Sequence, residues 1–455
     1  MPRAAIWWAR ADLRLEDNPA LTAALATGLP VQAVFVLEPG LWNPVRTGPH
    51  RAGFLAGALR DLHARLGALR GGLQVEWGSP AAVLGRIAAE FEGATVFTQA
   101  AHAPHGVRRE SEVQRVLHLV RVPSAAVAPP GVIAREDGAP FASFTPFWRR
   151  WAARLDHLPG PLPFPMPGRF LAGDAVALDA LMRQPADTLF PATSVEAHRR
   201  LSTFTEGPGA LVGQYARERE RLDGTGGALL SPYMRFGLLS GAALIRAGIG
   251  ARDGNLGTAP REGVEAWLRE NAWREHLTAQ LAAWPHLTHA NHDARMDRIA
   301  WRPDSASLVR WQEGRTGYPA VDAGMRELAS TGWLSNRARM IAASFLVKYL
   351  LIDWRAGAGH FQRLLLDAEP AANALGWQQV AGSGPGAQPW FRVLNPLIQA
   401  ERFDRSGAWV RRWVPEVGTP QADPPVIGTR DARERAIRVY RAAWSGEGRR
   451  KDEQW

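Results

Sequence analysis

The sequence contains no cysteine. That excludes disulfides, thiol catalysis, cysteine-ligated zinc and cysteine-bound iron–sulfur clusters. Lysine occurs only at Lys348 and Lys451, so arginine supplies nearly all of the positive charge. No uninterrupted apolar run approaches the length of a membrane span, and the opening MPRAAIWWARADLRLEDN is too charged for a secretory leader. A cytoplasmic protein with no membrane association is expected. Also missing are a G-x-G-x-x-G after a strand, a P-loop, an H-E-x-x-H and a nucleophile elbow. The histidines of HLTHANH at 286–292 lack a matching acidic or distant histidine partner, so a solvated helix end is preferred to a metal site, and no metal is expected.

What is present suits a folded protein of two domains: 455 residues, 46% hydrophobic and 22% charged. A net charge of +10 and a pI near 10.8 fit a polyanionic partner. Arginine grips phosphate bidentately and stacks on bases, which suits nucleic acid. A high-GC genome encodes the same bias, and composition does not choose between the two. Nineteen tryptophans stand against five tyrosines, several of them beside Arg, Asn and Glu rather than in apolar runs.

Residues 4–8 (AAIWW), 31–37 (VQAVFVL) and 94–98 (ATVFT) read as buried strands, with helical stretches near 19–27, 50–70 and 80–92 between them. Strand–helix alternation predicts a parallel, Rossmann-like α/β domain over 1–130. The Pro/Gly-rich stretch 131–195, interrupted by the helical FTPFWRRWAARL, reads as an interdomain linker. From 196 to 455 the apolar spacing is helical, as in GVEAWLRENAWREHLTAQLAAW and NRARMIAASFLVKYLLIDW, so the second domain is expected to be all-α.

Within EAWLRENAWREHL, residues Trp267, Glu270, Asn271 and Arg274 fall at i, i+3, i+4 and i+7, with Trp273 bordering that face. Two indoles, a carboxylate and a guanidinium suit a cavity that stacks planar rings and hydrogen-bonds their edges. A surface helix with a Glu–Arg pair and inward tryptophans reads the same pattern slightly better. Asn336, Arg337 and Met340 open a long apolar helix, where capping is the alternative to ligand contact. Asp367, Asn373, Trp377 and Arg392 punctuate a loop-rich stretch too irregular for plain core.

These segments resemble the photolyase/cryptochrome family over nearly the whole chain. WWARADLRLEDNPAL is similar to the family's opening strand and turn, and FTPFWRRW to its linker helix. LLSPYMRFGLLS, WLRENAWREHL, WQEGRTGYPAVDAGMRELASTGWLSNRARM, SFLVKYLLIDW, LLLDAEPAANALGWQ and PWFRVLNPLIQAERFD follow in the family's order and spacing. The resemblance is strongest to members that split cyclobutane pyrimidine dimers (class I). It implies an N-terminal antenna domain, a C-terminal helical FAD-binding domain, and a monomeric carbon–carbon lyase acting on UV-damaged DNA with light and reduced FAD.

Position by position, the resemblance places Tyr215, Thr225, Gly227, Ala228, Leu229, Leu230, Ser231, Trp267, Glu270, Arg274, Asn336, Arg339, Asp367, Glu369 and Asn373 around FAD. Asn373 would face flavin N5, and Arg339 would pair with Asp367 beside the ribityl–adenine part. Glu270, Trp273, Asn336, Arg337, Met340, Gln379 and Arg392 would line the dimer pocket. Glu270 (protonated or hydrogen-bonded) and Asn336 would stabilise charge as the dimer gains an electron, and Trp377, Trp354 and Trp301 would form a tryptophan chain from flavin to surface.

The departures from the pattern carry their own expectations. Gly227 and Ala228 stand where a Thr-Ser pair is common, so phosphate contacts would fall to glycine N–H groups or be lost. Trp377-Gln378-Gln379 replaces W-Q-W, exchanging an aromatic wall of the pocket for an amide. Ser335 replaces a histidine, and Pro385-Gly386-Ala387-Gln388-Pro389-Trp390 replaces T-D-A-A-P-Y. Ala103 stands where folate-binding members carry glutamate, which argues against folate and for a flavin or deazaflavin as second, antenna chromophore, or for none. A photoreceptor without repair activity and a flavin-free DNA-binding protein are the alternatives.

Overall fold

Apolar runs flanked by turn residues build the first element pairs. The computed structural model describes residues 1–180, 189–207, 209–254, 258–386, 389 and 391–445. Strands β1 (Ala5–Trp8), β2 (Val31–Leu37), β3 (Leu73–Trp77), β4 (Thr95–Gln99) and β5 (His118–Val122) form one parallel sheet in the order β3-β2-β1-β4-β5. Helices α1 (Pro19–Ala26), α2 (Pro49–Ala68), α3 (Pro80–Ala88) and α4 (Pro104–Gln114) make the crossovers. Each begins with proline, whose missing N–H costs nothing at that position. The three expected strands are the inner ones, apolar on both faces. The two edge strands, LQVEW and HLVRV, mix polar residues into the apolar run and lie outside the sequence expectation.

The chain divides into two compact units, Met1–Ala216 with Ala228–Pro285, and Arg217–Gly227 with His286–Trp455. In the first, the Pro/Gly-rich stretch docks on the sheet. Val31 bridges to Phe170, and Gly72 and Val75 donate to the carbonyls of Leu171 and Asp174 at 2.9 and 2.8 Å. A Cβ on Gly72 would lie 2.5 Å from the nitrogen of Gly173, so that approach requires glycine. Residues 181–188 of the expected linker lie outside the described residues.

The turn after β1 is held by Asp12, which accepts from Trp7 Nε1 at 3.1 Å and from Arg10 N at 2.8 Å. Buried Arg14 donates to the carbonyls of Asp17 and Gly237. Gly237 (φ 72°) ends α8 (Ser231–Phe236), after α5 (Phe144–Ala152), α6 (Ser194–Thr205) and α7 (Tyr215–Glu218). A Cβ there would stand 2.0 Å from the Ala11 carbonyl oxygen.

The first unit closes with α9 (Gly241–Asp253) and the long α10 (Thr258–Ala283). Glu275 of α10 accepts from Val127 N (3.1 Å), Ala128 N (2.9 Å) and Trp151 Nε1 (2.7 Å), tying the stretch after β5 and α5 to one carboxylate. Burial pushes that carboxyl up, against these hydrogen bonds. His276 is buried against Phe147 and Phe144, and burial brings it down to about 4.

The second unit is helical: α11 (Ser305–Gln312), α12 (Pro319–Thr331), α13 (Asn336–Ser344), α14 (Trp354–Leu364), α15 (Pro370–Ala381), α16 (Pro396–Phe403), α17 (Ala408–Trp413) and α18 (Thr429–Ser445). Trp311, Leu328, Ile341, Leu346, Trp354 and Trp377 are among its core. A π-helical turn, Phe345–Tyr349, and Leu351 at φ 53° join α13 to α14. Such turns cluster at functional sites. Among the described residues no helix is long and apolar enough to cross a membrane.

Buried Glu327 on α12 accepts from Trp409 Nε1 at 2.9 Å, and burial pushes it up to about 7 from the ordinary 4.5. The unfolded carboxyl ionises first as pH rises, so its stabilising effect is full below 4.5 and lost by about 7. Glu327→Gln should therefore gain on the parent by roughly 2–3 kcal/mol between about pH 4.5 and pH 8, read from urea midpoints. A difference independent of pH would refute this.

Candidate functional site

The side chains marked out by sequence fall in both units, and each group has its own geometry. On α10, Trp267 is only 4% exposed and packs its ring on Phe204 at 5.4 Å, with Gly248 against it. Tyr215 meets the edge of the same Phe204 at 5.8 Å. Asn271 does not share the polar stripe: its Nδ2 donates to the carbonyl of Trp267, one turn back, at 2.9 Å. Trp273 stacks on Phe144 at 4.1 Å and 8°, so one indole face is already covered. Arg274 reaches the Met234 carbonyl of α8 at 3.4 Å. Glu270 is partly exposed on the same helix. Ala228, Leu229 and Leu230 lead into Ser231, the first residue of α8, with Leu229 in the left-handed region at φ 51°.

In the second unit, Thr225 is turned inward to its own loop. Its N–H and hydroxyl both donate to Asp223 Oδ1, at 3.1 and 2.8 Å, and Asp223 is ion-paired with Arg221. Gly227 N–H donates to the Gly224 carbonyl at 3.0 Å, so it is not offered to a phosphate. Of the two outcomes expected here, lost phosphate contacts or glycine N–H substitutes, the use of this donor by the tight turn favours the first.

Arg339 Nη2 contacts Asp367 Oδ1 at 3.0 Å and Oδ2 at 2.8 Å, while its Nε donates to the Leu334 carbonyl. Glu369 caps α15, accepting from Ala372 N at 2.9 Å. Asn373 donates both amide protons to α14, to the Ala358 carbonyl at 3.0 Å and Gln362 Oε1 at 3.3 Å, which leaves Oδ1 to accept. At the start of α13, Ser335 is the N-cap, Asn336 is exposed and Met340 is partly exposed. Arg337 is held by Glu220, by Gln399 at 3.3 Å and over the Phe403 ring. Gln379 donates to the Pro385 carbonyl at 3.1 Å, and Arg392 is exposed. Ala387, Gln388 and Trp390 lie outside the described residues.

Trp377 and Trp354 are 3% and 1% exposed, whereas Trp301 is only partly buried, so just the third opens to solvent. Trp301 meets Tyr440 edge-on at 6.2 Å. Trp311, which sequence reasoning passed over, is fully buried and contacts Trp377 at 6.1 Å. Its position on α11 in an ordinary helical pattern gave no signal.

Residues 5–168 match the family model described as DNA photolyase, and residues 267–435 match the FAD binding domain of DNA photolyase. A deoxyribodipyrimidine photo-lyase of Thermus thermophilus is 37% identical over 435 residues, 95% of this chain and 97% of that one. The chain belongs to the DNA photolyase family. Among solved photolyases, the bacterial class III enzyme from Agrobacterium tumefaciens is similar at 31% identity and a TM-score of 0.87, with 98% of each chain covered. An archaeal photolyase from Sulfolobus tokodaii, solved with two FAD molecules and taken to implicate a novel light-harvesting cofactor, is similar at 26% identity and TM-score 0.83, over 96% of this chain and 99% of that one. The photolyase fold thus accounts for both the parallel sheet and the helical FAD-binding domain.

Proposed function

We propose that this photolyase splits cyclobutane pyrimidine dimers in UV-damaged DNA, driven by light and by reduced FAD. The observation that carries the reading is the orientation of Asn373. With both amide protons held by α14, the group can only accept. An acceptor fits a flavin N5 that bears hydrogen, as it does in the reduced cofactor. The Arg339–Asp367 pair adds a neutralised polar anchor that can still accept from a ribose hydroxyl.

Residues such as Asn373 and the Arg339–Asp367 pair would hold reduced FAD, which would supply the light-driven electron that opens the cyclobutane ring. The chain's own residues bind, orient and exclude water. Trp273, backed by Phe144, offers one rigid indole face to the everted lesion. Asn336 would donate to the dimer carbonyls as charge accumulates there, and Glu270 would do the same only where its carboxyl carries a proton. Exposed Arg392 is available to a flanking phosphate, which makes binding salt-dependent. Arg337, engaged with Glu220, would have to exchange that partner to do the same.

For the antenna we favour a flavin or deazaflavin. Arg10, Glu38 and Gln99 stand at the carboxyl ends of β1, β2 and β4, where open parallel sheets bind ligands. Arg109 pairs with Glu38 there, His105 lies 3.7 Å from the same carboxylate, and Arg46 and Arg108 add charge that suits a phosphate-bearing chromophore. The assignment of residues 1–130 to the antenna, 131–195 to the linker and 196–455 to catalysis follows the same reading, as do a cytoplasmic location beside DNA and a monomeric state.

The test is illumination of the FAD-loaded, reduced protein with an oligonucleotide containing one thymine dimer, following the return of nucleobase absorbance. Recovery in light supports the reading. A flavin that photoreduces while the dimer stays intact would make the protein a photoreceptor instead. Gln379→Trp, which restores a second aromatic wall, should tighten binding of dimer-containing DNA roughly tenfold at constant salt, measured by fluorescence titration. Unchanged affinity would remove position 379 from the pocket.

A further inference from the structure

We propose that Asn291 and Asp297 form a polar relay that biases the electron-transfer step between Trp377 and Trp354. This rests on the reading of Trp377, Trp354 and Trp301 as a chain. Trp354 is buried, and its indole N–H donates to Asn291 Oδ1 at 2.9 Å. Asn291, itself 7% exposed, does not end the connection: its Nδ2 donates to Asp297 Oδ1 at 2.6 Å. The middle indole therefore faces an amide polarised by a half-exposed carboxylate. Among the described residues, neither Trp377 nor Trp301 has an indole N–H hydrogen bond, so the asymmetry falls on one member.

An indole that has lost an electron is a cation, and its N–H becomes a stronger donor. The relay thus stabilises oxidised Trp354 over neutral Trp354. The electron count is simple. Trp377, having given one electron to photoexcited oxidised flavin, takes one from Trp354. The indole proton stays on Trp354, shared with Asn291. Trp301 refills Trp354, and an external thiol refills Trp301. Arg355 lies over the Trp354 ring at 4.9 Å and opposes this, but it is matched by Asp353 at 3.0 Å and sits 3.8 Å from Asp297.

The relay is held from the helix that carries Trp377. Fully buried Gln378 donates to the carbonyls of Leu287 (2.8 Å) and Ala290 (3.0 Å) and accepts from His292 N (3.2 Å). The Ser383 carbonyl accepts from the N–H groups of His292 and Asp293, both at 3.0 Å. These bonds fix the loop bearing Asn291. Satisfying a buried indole would need the amide alone, not the carboxylate behind it.

The full-length, FAD-loaded protein is examined by laser flash with a thiol present, as Asn291→Leu, Asp297→Asn, Asp297→Glu and Trp354→Phe. Asn291→Leu and Asp297→Asn should lower the fraction of flashes that leave reduced flavin roughly fivefold or more, with faster charge return from Trp377. Asp297→Glu, which keeps the carboxylate, should hold most of the yield. In the flavin-free protein, the Trp354 indole proton resonance, assigned by its loss in Trp354→Phe, should move upfield in Asp297→Asn. Parent-like yield and an unmoved resonance in Asp297→Asn, with Trp354→Phe abolishing the yield, would overturn the relay alone. A parent-like yield in Trp354→Phe would overturn the chain beneath it.

Discussion

Glu270→Ala splits roughly ten- to a hundredfold fewer dimers per absorbed photon while the protein keeps its flavin. The expectation comes from where charge develops. A dimer that gains an electron carries negative charge on its carbonyl oxygens, and a donor aimed at those atoms, such as Glu270 with its carboxyl protonated, lowers the barrier only if it is already in place. Glu270 stands on α10, three residues before the indole stacked on Phe144, so helix and stack fix it together. Flavin retention is expected because the Arg339–Asp367 pair and Asn373 sit on other helices. Repair yield and the flavin-to-protein absorbance ratio are measured together. A yield equal to the parent's takes Glu270 out of this role, and loss of flavin makes it a cofactor ligand.

Trp301→Phe stops photoreduction of oxidised flavin, by more than roughly tenfold, yet spares repair by protein reduced beforehand with dithionite. Phenylalanine is far harder to oxidise than tryptophan, so the change removes a hopping site with little change in packing. The burial pattern singles out this position, since Trp377 and Trp354 are sealed in the core and only Trp301 meets external reductants. Parent-like photoreduction would show that electrons leave by another route, for which Trp311 against Trp377 is the candidate.

Sequence spacing revealed the inner strands because residues apolar on both faces leave a continuous run. It missed β3 and β5 because an edge strand carries polar residues where a neighbour would otherwise pack. The Pro/Gly-rich stretch read as a connection, but its pairing along β3 depends on Gly72 and Gly173 meeting, a contact between residues far apart in sequence. On α10 the helical period placed Glu270 and Arg274 together, yet it could not tell Asn271, whose amide turns back on the helix, from a ligand. Nor could it show that Phe144 covers one face of Trp273.

Glu275 and Gln378 were overlooked for a related reason. Each looks like one more polar residue in a helix until its partners, drawn from distant segments, are in place. The resemblance supplied the candidate list, but not the hydrogen bonds that use up Gly227 N–H and turn Asn373 into an acceptor.

A borrowed electron must come home, and counting it tests the whole account. Reduced protein is mixed with a large excess of dimer-containing oligonucleotide, without added reductant or oxygen, and split dimers are counted against flavin absorbance in light and in darkness. Many dimers opened per flavin in light, with the flavin still reduced and nothing opened in darkness, is the expected result. One flavin oxidised for each dimer opened, or splitting that proceeds in darkness, would contradict it.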